Sequence, residues 1–251
     1  MLIFYIRHGE PIYHPNQLTP LGEKQAESVA RRLAQCGIDE IYASPSHRAM
    51  QTAQPLCDLL GKKMIPLDFL DEKNASAATM MPTDDGKRCW IWSHPYYSEI
   101  LSNREIREMG ERWYESPAFA ALPIKESFEV VWKGMDALLA SHGYEHDTEK
   151  GLYRVKTRAN EKRIAIFAHE GMGKIVMSHL LDIPYPYYAT HFEMEHSGVT
   201  VIRLDDDTVK YPDNPPKEYA RARVLTLSND GHLYRDGFEP IHHSSRMINI
   251  Y

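Results

Sequence analysis

Within the first seventy residues three short apolar runs, MLIFYI, DEIYAS and KKMIPL, alternate with two longer stretches whose apolar residues recur at helical spacing. Met1 to Ile6 carries no charge and is rich in Ile, Tyr and Phe, the composition of a strand buried on both faces rather than of a solvated terminus. LTPLGEKQAESVARRLAQCG reads as a helix, with Thr19 suited to the N-cap, Pro20 to the first turn and Gly37 to the C′ position. Ala26, Val29, Ala30 and Leu33 give it one apolar stripe. Ser44-Pro45 is expected to cap the next helix, SHRAMQTAQPLCDLLG, which ends at Gly61 and which Pro55 should kink or divide. Strand, helix, strand, helix, strand is the rhythm of a parallel sheet covered by helices. The fold class expected is therefore α/β: a three-layer αβα sandwich with a mostly parallel sheet.

The rest of the chain fits that frame with one interruption. From about Asp71 to Lys125 the rhythm is lost, and Trp90, Trp92, Tyr96, Tyr97, Trp113 and Tyr114 sit among charged residues and prolines. This reads as an inserted, mostly helical lid, whose aromatic residues form its core more readily than a ligand platform. Ser127 to Leu139 returns as a helix, and GYEHDTEKGLYRVKTRANEK has the polar, turn-rich character of a surface hairpin. RIAIFAHEGMGKIVMSHLL then repeats the opening theme: an apolar strand, His169 at its end, and a helix beginning near Gly171. SGVTVIRL and RARVLTLSNDGHLY are β-rich and should extend the sheet antiparallel at one edge, while the prolines of KYPDNPPK between them forbid a regular element. With no internal repeat or low-complexity linker, residues 1–251 read as a single domain with 71–125 as an inserted lid.

Bulk composition narrows the function classes. At 251 residues, 43% hydrophobic and 25% charged, the chain can bury one sizeable core. No apolar run approaches the roughly 18 residues of a membrane span. The first six residues lack a basic n-region and run straight into Arg7, so no export segment is read and a cytoplasmic setting is expected. Cys36, Cys57 and Cys89 form no CxxC pair, which suggests neither a disulfide framework nor a zinc site. A net charge of −6 argues against a nucleic-acid surface, although a small anionic ligand needs only a local positive pocket.

Such a pocket is legible. In open α/β sheets ligands bind beyond the carboxyl ends of the strands, where helix N-termini also present free N–H groups. The first strand end delivers Arg7 and His8, the second Ser44 and, one helical turn on, Arg48, and a later one His169. Arginine forks hold phosphate oxygens in bidentate fashion, each charge-assisted bond being worth roughly 1.5–3 kcal/mol. A neutral histidine nitrogen is a competent nucleophile towards phosphorus. Gly9, without a Cβ, is expected to let the backbone approach the phosphate. With this much positive charge no metal is required.

The stretches RHGE (Arg7 to Glu10), LTPLG (Leu18 to Gly22), SPSHRAMQTA (Ser44 to Ala53) and AHEG (Ala168 to Gly171) resemble, in order and spacing, the histidine phosphatase superfamily of phosphoglycerate mutase-like fold. The resemblance covers about residues 1 to 72 and 160 to 181 well. It implies that His8 is the histidine that becomes phosphorylated and that Arg7, Arg48 and His169 form the phosphate pocket around it. It also implies a general acid, for which Leu70-Asp71-Glu72 fits the family's Leu-x-Glu pattern. Glu72 is followed by Lys73-Asn74-Ala75, not the usual glycine, so Glu170 stands as the rival acid, as in the acid phosphatase branch.

Mutases of the glycolytic type carry a Trp-Asn pair soon after RHGE and Arg-His-Tyr-Gly after the acid, and this chain carries neither. It reads Pro11-Ile12-Tyr13-His14, and the short spacing to LTPLG leaves Asn16 as the asparagine of that interval. The resemblance thus points to the phosphatase branch: a metal-independent phosphomonoester hydrolase with His8, Glu72 and His169 catalytic, Arg7 and Arg48 binding phosphate, and no cofactor. A phosphoglycerate-type mutase and a catalytically inactive phospho-ligand binder are the alternatives. The expected partner is a small phosphorylated metabolite, not nucleic acid or membrane, with a homodimer as a further expectation. His142, His146, His191, His196, His242 and His243 are read as surface or packing residues, and Asp205 to Asp207 as a solvated turn.

Overall fold

Alternate residues of the opening strand enter different cores. In β1 (Leu2–Arg7) Ile3 and Tyr5 belong to one buried cluster, whereas Phe4 and Ile6 belong to another. A strand buried on both faces needs cover on both, and each large apolar side chain so buried stabilises by about 1.5–3 kcal/mol. The computed structural model, which describes residues 1–204 and 217–238, shows how that cover is built.

After a short ladder of β2 (Pro11–Ile12) and β3 (Gln17–Leu18), α1 (Pro20–Ala34) packs Val29, Ala30 and Leu33 into the Phe4/Ile6 core. Thr19 is its N-cap and accepts from the Gly22 N–H at 2.9 Å. The helix stops at a Gln35 cap, so Gly37, at φ +65°, serves the following turn one residue later than expected. β4 (Glu40–Ala43) is followed by α2 (His47–Leu60), which also covers this face and ends at a left-handed Gly61. Two expectations about α2 are corrected. Its N-cap is Ser46, freeing Ser44 for the site described below, and it runs undivided across Pro55, where the buried flanks Ala53, Leu56 and Cys57 hold it against sheet and α1. β5 (Met64–Pro66) is the next strand.

The segment after Asp71 contains α3 (Lys73–Thr79), a hairpin of β6 (Met80–Pro82) and β7 (Arg88–Trp90), α4 (Tyr97–Ser102) and α5 (Arg104–Glu108). The expectation of a mostly helical insert omitted that hairpin. Trp92, Trp113 and Phe119 are buried in the same cluster as Ile3 and Tyr5, together with Phe128 and Val131 of α6 (Ile124–Ser141). The hairpin of β8 (Tyr144–Asp147) and β9 (Leu152–Val155) follows as expected, and β10 (Arg163–Ala168) leads into α7 (Glu170–Leu181), which starts one residue before Gly171. α8 (Tyr185–His191), β11 (Val199–Arg203), β12 (Tyr219–Ala220), β13 (Arg223–Asn229) and α9 (Gly231–Arg235) complete the described elements.

The main sheet has the order β13-β11-β1-β10-β4-β5. β1, β10, β4 and β5 run parallel, while β11 and β13 make the antiparallel edge. Arg7 pairs with Ala168 and Ala43 with Phe167, so the three parallel strands end level. That register puts His8, Ser44 and His169 side by side. Ile6 pairs with Val199, so the antiparallel β11 enters the sheet at this same edge. Asp205 to Asp207, nearly all of KYPDNPPK, and His242 and His243 lie outside the described residues.

Candidate active site

His8 is buried at the end of β1, and its Nδ1 lies 2.7 Å from the carbonyl oxygen of Gly9. A carbonyl only accepts, so Nδ1 carries the proton and Nε2 keeps its lone pair. Burial first, and then the nearby His169, Arg7 and Arg48, push the His8 pKa well below its ordinary value, leaving a neutral imidazole at pH 7.

Two guanidinium groups flank it. Arg7 Nη1 is 2.9 Å from Glu170 Oε2 and also donates to the Met194 carbonyl, and Nη2 lies 3.0 Å from His196 Nε2. Arg48 donates through Nη1 to Asn16 Oδ1 at 2.9 Å and Ser46 Oγ at 3.0 Å, and through Nη2 to Glu72 Oε2 and to His169 Nδ1, the latter at 3.0 Å. Because arginine only donates, His169 accepts at Nδ1 and donates from Nε2 to Ser44 Oγ at 2.8 Å. Burial, with Arg48 and Arg7 adding to it, keeps His169 neutral as well. The imidazoles of His8 and His169 stand edge to face with centroids 5.2 Å apart.

Glu72 precedes α3 and bridges this cluster to a cavity of about 890 Å³, whose walls include Tyr13, Asn16, Arg48, Glu72, Arg88 and Trp90. Burial raises its carboxyl above the ordinary range, against the opposing pull of Arg48 and Arg7. Glu170, on the other side, is tied to Arg7 and lies 3.5 Å from the buried Lys174 Nζ, which also faces Glu193 at 3.5 Å. All five residues expected from the sequence, Arg7, His8, Arg48, Glu72 and His169, therefore meet in one place.

Three further residues take part. Asn16 accepts from Arg48 at 2.9 Å. His196, read as a surface or packing residue, is buried against Arg7 with its ring 5.8 Å from that of His8. The loop before β11 carries it there, and the Ser197 N–H donates to the Arg7 carbonyl at 3.1 Å. Lys174 was missed because a lysine inside an apolar helix gives no sequence signal for its partners.

Gly9 also has a role in packing. A Cβ there would meet the Gly22 carbonyl oxygen at 2.5 Å, so the close approach is to the first turn of α1. One donor atom each from His8, Glu72 and His169 lie within 4.8 Å of one another, a spacing that a metal ion could use. With Arg7 and Arg48 bonded into the same cluster, the local field favours an anion instead.

The sequence matches the family model of the histidine phosphatase superfamily (branch 1) over residues 3–212. A putative phosphoserine phosphatase 2 of Hydrogenobacter thermophilus is 24% identical over 82% of this chain and 90% of its own length. A probable phosphoglycerate mutase GpmB of Yersinia enterocolitica is 32% identical over 56% of this chain and 69% of its own. Among solved structures, a mycobacterial glucosyl-3-phosphoglycerate phosphatase in complex with VO3 superposes with a TM-score of 0.56 at 17% identity, covering 90% of this chain and 98% of that one. The phosphoserine phosphatase of Entamoeba histolytica in complex with 3-phosphoglyceric acid gives 0.53 at 19%, covering 92% and 98%. The superpositions establish the phosphoglycerate mutase-like fold, and a family match that spans all three level strand ends makes this chain a member of the histidine phosphatase superfamily, branch 1.

Proposed function

We propose that the protein is a phosphatase that hydrolyses phosphomonoesters through a phosphohistidine on His8. The observation that carries this reading is the Nδ1–H bond from His8 to the Gly9 carbonyl, which fixes the tautomer so that, in an imidazole kept neutral by burial, Nε2 stands free between Arg7 and Arg48. A phosphate monoester entering from the cavity displaces the carboxylate partners of the two guanidiniums and is held by their forks. His8 Nε2 then attacks phosphorus, the P–O bond to the leaving group breaks, and Glu72 gives that oxygen its proton. Glu72, now a carboxylate, takes a proton from water as the oxygen attacks phosphorus, the P–N bond breaks, and inorganic phosphate leaves with His8 neutral again.

Glu72 is preferred over Glu170 as the acid because it lines the cavity and burial raises its carboxyl, whereas Glu170 is not in that lining and stays beside the buried Lys174. The segment 71–125 acts as the lid, contributing Arg88 and Trp90 to the cavity wall, and a small phosphorylated metabolite fits the volume. An acid-phosphatase character is part of the proposal. So is a reducing cytoplasmic setting, which suits the free thiols of Cys36, Cys57 and Cys89. No helix among the described residues is long and apolar enough to cross a membrane. Mutase chemistry is less favoured, since the matched mutases share only about half of this chain.

Phosphate release from p-nitrophenyl phosphate, with alkaline denaturing quench to trap the phosphoenzyme, tests the reading. Wild type should turn over and show an acid-labile phosphoryl group, and His8→Ala should show neither. Turnover that survives His8→Ala would overturn it, and phosphoglycerate isomerisation exceeding hydrolysis would favour the mutase.

A further inference from the structure

Asp136 of α6, His146 of β8 and His179 of α7 meet in a second cluster that shares no residue with the one around His8. His179 Nε2 and His146 Nδ1 lie 2.8 and 3.2 Å from the same oxygen, Asp136 Oδ1, and 3.4 Å from each other. Donor atoms held at about 2.0–2.2 Å from a tetrahedral ion stand roughly 3.3 Å apart, so this triangle already has close to the size that zinc imposes on its ligands.

The surroundings are also those of a metal site. His146 Nε2 lies 3.3 Å from the Asp182 carboxylate, the bond from a ligand's second nitrogen that orients metal-binding histidines. Both rings are held by stacking, His146 on Tyr153 with centroids 4.5 Å apart and His179 on Trp132 at 5.7 Å. The side chain of His146 is buried while that of Asp136 is 35% exposed, and a cavity of about 200 Å³ reaches His179, which provides a route for an ion and a place for a water ligand. Among the described residues no arginine or lysine pairs with Asp136 or Asp182, in contrast to the arginines around His8.

We infer that Asp136, His146 and His179 bind one divalent ion of zinc type, with Asp182 orienting His146 and water completing the coordination. Such an ion joins α6, α7 and β8, tying the β8–β9 hairpin to the helices beneath it. The competing explanation is a cluster of protein charges alone, with a protonated His146 between Asp136 and Asp182.

The full chain, stripped of metal by chelation, is dialysed against Zn²⁺ and separately against Co²⁺, and bound metal, melting temperature and the visible spectrum are recorded. One tightly held equivalent, a raised melting temperature and the intense visible absorption of four- or five-coordinate Co²⁺ are expected. His8→Ala should keep all three. Asp136→Asn and His179→Gln should each lose the bound equivalent and the spectrum, and Asp182→Asn should weaken binding by about 10- to 100-fold. Circular dichroism of the metal-free proteins establishes that each variant is folded, and either of the two ligand variants suffices if the other is not. The inference is overturned if wild type takes up no saturable equivalent, if a folded ligand variant retains it, or if His8→Ala loses it, which would put the ion with His8, Glu72 and His169.

Discussion

Glu72 is under two opposing influences. Burial lifts its carboxyl above the ordinary range, while Arg48, bonded to it through Nη2, and Arg7 pull it down. A phosphate dianion competes for Arg48 and adds negative charge beside Glu72, and both effects shift the carboxyl towards its protonated form, the one a departing alkoxide needs. Glu72→Gln should therefore slow hydrolysis of an alkyl phosphomonoester by about 10²- to 10⁴-fold. With p-nitrophenyl phosphate, whose leaving group departs without a proton, the first-turnover burst should persist while steady-state turnover falls, because attack by water still needs a base. Rapid-quench measurement of both phases checks this, and an unchanged steady state would remove Glu72 from the proton path. Arg48 serves Asn16, Ser46, Glu72 and His169 from two nitrogens at once, an arrangement one ammonium cannot copy. Arg48→Lys should lower kcat by about 10²- to 10³-fold, the usual effect of losing one well-placed donor to a developing charge.

At the scale of elements, the RHG and LTPLG motifs prove to be one contact. A Cβ on Gly9 would sit 2.5 Å from the Gly22 oxygen, and one on Gly22 would sit 2.2 Å from the Glu10 oxygen. The Gly9 N–H donates to Thr52 Oγ1 at 3.0 Å, so α1 and α2 together fix the carbonyl that anchors His8 Nδ1. Gly9→Ala or Gly22→Ala should lower stability by about 1–3 kcal/mol through overpacking. Each should also reduce kcat as that anchor moves, and urea titration with kinetics on the same preparations would reveal the two losses together. Unchanged kcat alongside a lowered urea midpoint would mean that His8 does not depend on this contact. The motifs were legible in the sequence, but this partnership was not, because it lies between backbones. His196 escaped for a topological reason: the strand-end rule looks to carboxyl ends, whereas the antiparallel β11 enters the site edge with its amino end. Asp136, His146 and His179 escaped because their spacing, on two helices and a hairpin, forms no local pattern. Pro55 does not divide α2, because the packing of Ala53, Leu56 and Cys57 on either side of it outweighs local propensity.

Across the whole molecule one large core joins Trp113 and Phe119 of the segment after Asp71 to the sheet residues Ile3 and Tyr5, so the site edge and its cover share buried surface. Into this interior the fold takes four neutral histidines. His8, His142, His169 and His232 are all held below their ordinary pKa, burial being the first cause in each, and His232 is pushed down to about 4. In the unfolded chain each takes up a proton near pH 6.5. Above that pH both states are neutral at these positions and the four contribute no pH dependence. Below it the unfolded state binds more protons than the folded one, so stability falls as the pH falls, by about 1.4 kcal/mol per pH unit for each proton in the difference. For His232 this window extends from about 6.5 down to about 4. Urea midpoints in a phosphate-free buffer, where no anion stabilises the folded site, should decline from pH 6.5 to 5 as these four histidines charge in the unfolded chain. His232→Asn takes one group out of the balance, so its decline should be shallower than that of wild type by about one proton's worth. A decline equally steep in the variant would mean that His232 is already charged in the folded state, and the hydrogen bond it makes with Ser197 on the loop carrying His196 would have to be reassigned.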